Sequence, residues 1–211
     1  MSAQPEHVDV RELEPRNPTE EQILGAARDL LAELPYDKIS VDLIARRAFV
    51  SRTTVYFYFP NKRAVVDRLI QQAFADMYAA GAPYLEGVGE PRLELRLGLG
   101  RVVSVVNRDA LVLLLAASLA GRDDRLPPEW DRYVRRFVVG AERRIRRDQE
   151  RGIAPADISP RISAQALCAM VERHITMEIM RGGGDVNETI RVLSELWWRA
   201  VYSHPAPPKP A

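Results

Sequence analysis

Cysteine is almost absent. The 211 residues hold a single one, Cys168, so no internal disulfide can form, a disulfide-stapled secreted scaffold is excluded, and a reducing cytoplasm is the expected location. Long apolar runs are missing as well. No stretch approaches the ~20 residues needed to cross a bilayer, and the opening MSAQPEHVDVRELEP has neither the basic start nor the apolar stretch of a signal peptide. The three histidines, His7, His174 and His204, lie far apart, which leaves no metal-ligand spacing and no expected metal. Gly98-Leu99-Gly100 has no third glycine in register and no strand before it, so the dinucleotide fingerprint fails and no cofactor is expected. No Ser or Cys sits in a nucleophile-elbow motif. Period-two alternation is not sustained anywhere, so no sheet is expected, and there is no internal repeat. Excess charge is lacking too: 30 Lys+Arg against 29 Asp+Glu give +1, which taken whole argues against a uniformly basic nucleic-acid binder.

What remains is helix after helix. Hydrophobic residues make up 46% of the chain, enough for a real core, and the expected fold class is all-α with about nine helices. Residues 1–17 and the Pro-rich 204–211 read as flexible tails. Thr19 and Gln22 form a T-x-x-Q capping box for a first helix that Pro35 stops. Ser40 caps a second helix, with Ile39 placed to staple onto Ile44. Ser51 caps a third, where Val50 and Val55 repeat that spacing. Two stapled helices separated by about three residues make a helix-turn-helix candidate over 18–62.

A larger domain then spans 63–203. A long helix is expected over about 61–80, followed by a loop through Gly81, Pro83, Gly87, Gly89 and Pro91. Two apolar helices fill 92–121, parted near Asn107-Arg108-Asp109. One more helix covers 127–151. Another is capped by Asp157-Ile158-Ser159-Pro160 and runs to Arg181, where Gly182-Gly183-Gly184 ends it, and the last covers about 186–203.

With Val55 pointing inward at 100° per residue, Thr53 and Phe57 of the third helix point outward and Thr54 and Tyr56 flank them. Phe59 and Tyr58 fall near the core side. A face of Thr, Thr, Tyr and Phe suits a major groove. Hydroxyls reach base edges or phosphates, and the Thr methyl and Phe ring can touch thymine methyls. Arg52 could meet a guanine or a phosphate, Ser40 marks a phosphate site at a helix start, and Lys62 could clamp the backbone from the other side. The candidate DNA-contacting set is Ser40, Arg46, Ser51, Arg52, Thr53, Thr54, Tyr56, Phe57, Tyr58 and Lys62. Six basic residues and one acid between Lys38 and Arg63 give a local +5, and residues 132–151 carry eight Arg against three acids, another +5. Overall neutrality therefore conceals a basic patch on the motif that would use it. The plainer reading is that Ser40 and Ser51 only cap helices and the aromatics fill a small core.

The run Ile39-Ser40-Val41-Asp42-Leu43-Ile44-Ala45 and the run Val50 to Lys62, with its Tyr-x-Tyr-Phe-x-x-Lys pattern, resemble the N-terminal domain of the tetracycline-repressor (TetR) family. Similarity to its ethionamide-resistance repressor subgroup extends through the Trp130 helix ending Glu150-Arg151-Gly152-Ile153-Ala154-Pro155, the Glu172-Arg173 pair and Leu196-Trp197…Val201-Tyr202. The resemblance implies a three-helix DNA-binding domain and a larger ligand-binding and dimerisation domain. It implies a homodimeric repressor, released from a palindromic double-stranded DNA operator by a hydrophobic small-molecule effector.

Matching the subgroup's cavity lining are Trp130, Val134, Phe137, Cys168, Val171, Ile175 and Trp197. Cys168 and Val171 stand where the subgroup presents amides, which favours a greasier ligand. His174 joins this set as a polar anchor, or else is a satisfied structural histidine. The arginines at 132, 135, 136, 143, 146 and 147 read as a solvated face. The resemblance also implies dimerisation through the last two helices, with Ala166, Ala169, Leu193 and Leu196 as expected contributors. Two departures stand out: Phe49 replaces the usual turn glycine, and Thr53 replaces a small residue. On the residues alone, a helical ligand-binding protein without operator binding and a small all-α enzyme remain as alternatives.

Overall fold

The computed structural model describes residues 17–119, 128–181 and 185–203, without the side chains of 117–119, 128–131 and 179–181. Among the described residues there are nine α-helices and no strand. They are α1 (Pro18–Glu33), α2 (Val41–Arg47), α3 (Arg52–Tyr58), α4 (Lys62–Glu86), α5 (Pro91–Arg108), α6 (Ala110–Leu119), α7 (Pro128–Glu150), α8 (Pro160–Arg181) and α9 (Val186–Tyr202), with a short 3₁₀ turn at Tyr36–Lys38. The all-α architecture read from the sequence is the one observed. Apart from Asn17 the two tails lie outside the described residues, as do Gly182-Gly183-Gly184.

The chain divides into two compact units, one through Ala75 and one from Asp76. The division falls inside α4 instead of at residue 62. Val65, Val66, Leu69 and Ala73 of α4 are buried, and Arg68 and Gln72 reach Glu20 and Glu21 of α1 at 2.8 and 2.7 Å. The first half of α4 thus shares a core with α1–α3.

In this N-terminal unit α1 starts earlier than the Thr19–Gln22 box suggests. Asn17 is the cap: its Oδ1 accepts from the backbone N–H groups of Thr19 (2.9 Å) and Glu20 (3.4 Å). Pro18 occupies the first helical position, where its missing N–H is no loss. The helix buries Ile23, Leu24, Ala26, Ala27 and Leu30. Ser40 and Ser51 cap α2 and α3 as the sequence indicates, accepting from Leu43 N–H (3.2 Å) and Thr54 N–H (2.9 Å). Ile39, Ile44 and Val55 are all buried.

In the C-terminal unit α4 runs straight through the segment expected to be a loop, with Pro83 inside it. Pro83 has no N–H to give the carbonyl one turn back. The adjacent Ala80 carbonyl receives Nε of Arg101 from α5 at 3.0 Å. Gly81 and Gly98 let α4 and α5 cross closely, since a Cβ added at Gly98 would stand 3.7 Å from Gly81 Cα. The helix closes at Gly87, φ 82°, in a Schellman motif: Gly87 N–H donates to Tyr84 O and Val88 N–H to Pro83 O, at 3.1 and 2.9 Å. Two arginines of α7 cap the same end, Arg144 donating to Tyr84 O at 3.0 Å and Arg147 to Glu86 O. Arg147, read from the sequence as part of a solvated face, is therefore a helix cap. Helix α7 packs along α8, and α5 along α9.

Candidate functional site

Helix α3 is short and tied at both ends. At its start Ser51 Oγ accepts from Thr54 N–H and lies 2.7 Å from Thr54 Oγ1, so these two hydroxyls are bonded to each other. At its end the Tyr58 hydroxyl donates to Asn17 Oδ1 at 3.2 Å, which joins α3 to the cap of α1. Val55 and Phe59 point into the core. Thr53, Tyr56 and Phe57 face outward, Phe57 at 80% exposure, while Thr54 and Tyr58 are half-buried. This is the orientation that the helical spacing implies.

The turn before α3 carries the main conformational oddity. Phe49 has φ 53°. Its N–H donates to Arg46 O at 3.2 Å and that of Val50 to Ala45 O at 3.0 Å, a complete Schellman motif with Phe where glycine is the usual choice. The Phe49 side chain is 90% exposed, so no packing offsets the strained backbone.

The basic residues around α3 are less free than the window count suggests. Arg47 forms a two-pronged pair with Glu33, at 2.8 and 2.6 Å, and this hydrogen bond holds the Glu33 carboxyl below its ordinary pKa. Arg63 pairs with Asp67 at 2.7 Å. Both acids lie just outside the Lys38–Arg63 window. Arg52 contacts Asp42 at 3.3 Å and donates to the Tyr56 hydroxyl at 3.2 Å. Arg46 is exposed, with Nε directed at the Asp42 carbonyl at 3.4 Å. Lys62 Nζ donates to the carbonyls of Tyr36 and Ile39 and lies 4.3 Å from the Tyr36 ring centre. Its ammonium holds the segment that leads into Ser40.

In the C-terminal unit the expected lining residues fall into three groups. Cys168, Ile175 and Trp197 are buried, and burial pushes the Cys168 thiol up to about 12. Val134, Phe137 and Val171 are half-buried, and Phe137 meets Tyr78 edge-on with centroids 5.4 Å apart. His174 is exposed on α8. Its imidazole stands on the outer side of α8 next to the buried Ile175, so it is not a buried structural histidine of the protomer. The side chain of Trp130 lies outside the described residues.

A buried polar chain links α4, α7 and α9. Trp197 Nε1 donates to the Tyr84 hydroxyl (3.0 Å), Tyr84 to the Tyr202 hydroxyl (3.1 Å) and Tyr202 to Asp148 Oδ2 (2.7 Å). Arg144 pairs with that same oxygen at 2.7 Å, both residues being fully buried. Asp148 Oδ1 has no hydrogen-bond partner. Burial pushes the Tyr84 phenol up to about 12. The sequence reading missed Tyr84, Arg144 and Asp148. A signal was present, because Ala141, Arg144, Ile145 and Asp148 share one helical stripe and only an inward-facing pair explains Arg and Asp on it.

The last two helices separate surface from core. Helix α8 exposes Ile162, Ala166 and Ala169 one turn apart, and α9 exposes Val192, Leu196 and Ala200. Leu193 is buried within the protomer and so is removed from the expected interface set. Among the described residues no helix is long and apolar enough to cross a membrane, and no group of three or more His, Cys, Asp or Glu could hold a metal ion.

Comparison with known proteins matches residues 23–69 to the family "Bacterial regulatory proteins, tetR family" and residues 96–203 to "Transcriptional regulator EthR, C-terminal domain". The chain is 26% identical over 191 residues to the HTH-type transcriptional regulator EthR of Mycolicibacterium smegmatis, covering 87% of this chain and 86% of that protein. Among solved structures it shares its fold with the complex of SmeT, a Stenotrophomonas maltophilia repressor, with triclosan (TM-score 0.72, 19% identity, 90% of this chain and 100% of that one). It also shares it with FadR of Bacillus subtilis in complex with stearoyl-CoA (TM-score 0.66, 19% identity, 84% and 96%).

Proposed function

The chain belongs to the tetR family of bacterial regulatory proteins and carries a C-terminal domain of the EthR type, and on that footing we propose that it is a homodimeric repressor released from DNA by a hydrophobic effector. The observation that carries the operator-binding part is the outward face of α3, where Thr53, Tyr56 and Phe57 stand exposed on a helix capped at its start and anchored at its end. A solvated face has no use for two exposed aromatic rings, whereas a major groove offers them thymine methyls and sugar edges. Two such helices, one per protomer, enter successive grooves when they stand roughly 34–36 Å apart, which makes the operator palindromic.

Dimerisation uses the exposed apolar faces of α8 and α9, an isologous contact. The effector site lies among the helices of the C-terminal unit, with Cys168, Ile175, Phe137 and Trp197 as lining. Their apolar character supports a lipophilic ligand, in keeping with the triclosan and stearoyl-CoA bound by SmeT and FadR. Effector binding changes the separation of the recognition helices and lowers operator affinity. The protein works in the cytoplasm, where the DNA is, and no catalytic step belongs to this reading.

The test is selection of bound fragments from the source genome, followed by titration of the enriched site at several salt concentrations. Affinity should fall steeply with salt because phosphate contacts release counterions, and Tyr56→Ala should weaken it while leaving the dimer intact. Failure of the wild-type protein to retain any fragment at low salt ends the proposal.

A further inference from the structure

Asp42 is the one acid between Lys38 and Arg63. On a surface meant to approach phosphates a carboxylate costs affinity, so its presence asks for a reason. Its position is specific. From the first turn of α2 its carboxylate faces Arg52 of α3, with Oδ1 and Oδ2 at 3.3 and 3.4 Å from Nη1. On the other side, Arg52 Nη2 donates to the Tyr56 hydroxyl, and the Tyr56 ring centre is 5.4 Å from the guanidinium carbon. Two helices therefore hold one planar fork. The side chains of the pair are exposed, 60% and 47%, and exposed pairs add little to stability. An acid in a helix's first turn is favoured by the dipole at several positions, so that effect alone does not require one facing Arg52.

We propose that Asp42 is a positioning residue that makes Arg52 a reader of guanine in each operator half-site. The inference rests on the operator-binding reading above. A guanidinium has five N–H groups; Asp42 and Tyr56 engage two and leave the rest for DNA. A phosphate brings a second anion to the same cation, and Asp42 repels it. The guanine edge is neutral and offers O6 and N7, two acceptors that match a planar fork. Arg52 can therefore keep Asp42 while it binds guanine, but not without cost while it binds a phosphate. When the groove closes over the pair and excludes water, the Asp42–Arg52 attraction strengthens.

The experiment is selection by the full-length protein from a random duplex DNA library, with the bound fraction sequenced. The wild type should enrich a half-site containing one position at which G·C is preferred about tenfold or more, the size expected of a two-pronged arginine contact. Asp42→Asn keeps the side chain's volume and its capacity to sit at a helix start. It should lose the preference at that position alone while binding random DNA more tightly. Arg52→Lys keeps the charge but not the fork, and should lose the same preference. With its side chain 60% exposed, it tests the guanine contact even if Asp42→Asn folds poorly, and Asp42→Ser, also at home at a helix start, then tests the positioning by losing the same preference. An unchanged guanine preference in any of these variants, or a loss spread evenly over all positions, overturns the proposal. A wild type that enriches no sequence and shows no salt-dependent binding defeats the operator-binding reading itself, and the two failures are thereby distinguishable.

Discussion

Lys62 Nζ donates to the carbonyl oxygen of Ile39 at 3.0 Å, one residue before the serine that caps α2. A second bond to Tyr36 O at 3.1 Å and the Tyr36 ring complete its surroundings. A lysine so engaged positions the helix-turn-helix and is not a free clamp on the DNA backbone. Lys62→Ala is accordingly expected to remove about 1–2 kcal/mol of stability from the N-terminal unit, because two half-buried carbonyls lose a charged donor. Operator affinity should fall with it, but the dependence of log K on log salt should keep its slope. A phosphate contact would instead reduce that slope by about one. Denaturant melting together with operator titration at several salt concentrations separates the two roles. A normal melt with a shallower slope returns Lys62 to the DNA backbone.

Phe49→Gly should stabilise the protein. A non-glycine residue in the left-handed region costs about 1–2 kcal/mol, and the added freedom of glycine in the unfolded chain takes back about 0.4–1 kcal/mol. With the ring 90% exposed there is no packing to lose. The net gain is between about 0 and 1.6 kcal/mol, centred near 0.8, read from the denaturant midpoint. Phe49→Ala keeps the strained backbone and should bring no gain. A destabilised Phe49→Gly protein would show that the ring makes a contact worth more than the strain.

The helices of the N-terminal unit were legible because their signals are local. Ser40 and Ser51 cap, Ile39 and Ile44 pack, and the 100° step alone orients Thr53, Tyr56 and Phe57. Where the reading went astray, distant residues had changed the meaning of a local signal. Gly81 and Pro83 look like helix breakers until Gly98 and Arg101 of α5 give one a crossing partner and the other's neighbouring carbonyl a donor. The charge window around α3 looks strongly basic until Glu33 and Asp67 enter from outside it. Arg147 looks solvated until the end of α4 arrives beneath it. In each case the partner lies on another helix, where periodicity carries no information about it.

The buried chain from Trp197 to Asp148 gives a pH dependence with a definite sign. Burial raises the Tyr84 phenol from the ordinary 10 to about 12, so the folded state favours the protonated form more than the unfolded state does. That contribution is intact below pH 10 and is lost as pH rises from there to about 12, a loss of about 2–3 kcal/mol. Tyr84→Phe removes the titration. It also leaves the Trp197 N–H without its acceptor, at a cost of about 1–3 kcal/mol near neutrality. Stability measured by denaturant at pH 8 and pH 11 should therefore differ less in the variant than in the wild type. Equal losses in the two proteins would exclude Tyr84 as the source of the alkaline limb.

Leu193 and Leu196 lie one turn apart on α9 and are chemically identical, yet their surroundings predict opposite outcomes. Leu193 is buried within the protomer and Leu196 is 47% exposed. Leu193→Ala should remove about 2–4 kcal/mol of stability through lost burial and the cavity left behind, without redirecting association. Leu196→Glu should leave the protomer folded, since the side chain is about half exposed and a longer one can reach solvent, but place a charge beside Val192 and Ala200 on the apolar face that α9 exposes. Sedimentation should then report a monomer where the wild type is a dimer, and the melting midpoint should lose its dependence on protein concentration. A dimer that survives Leu196→Glu unchanged would move the interface away from α8 and α9. The recognition helices of the two protomers would then need another contact to set their spacing.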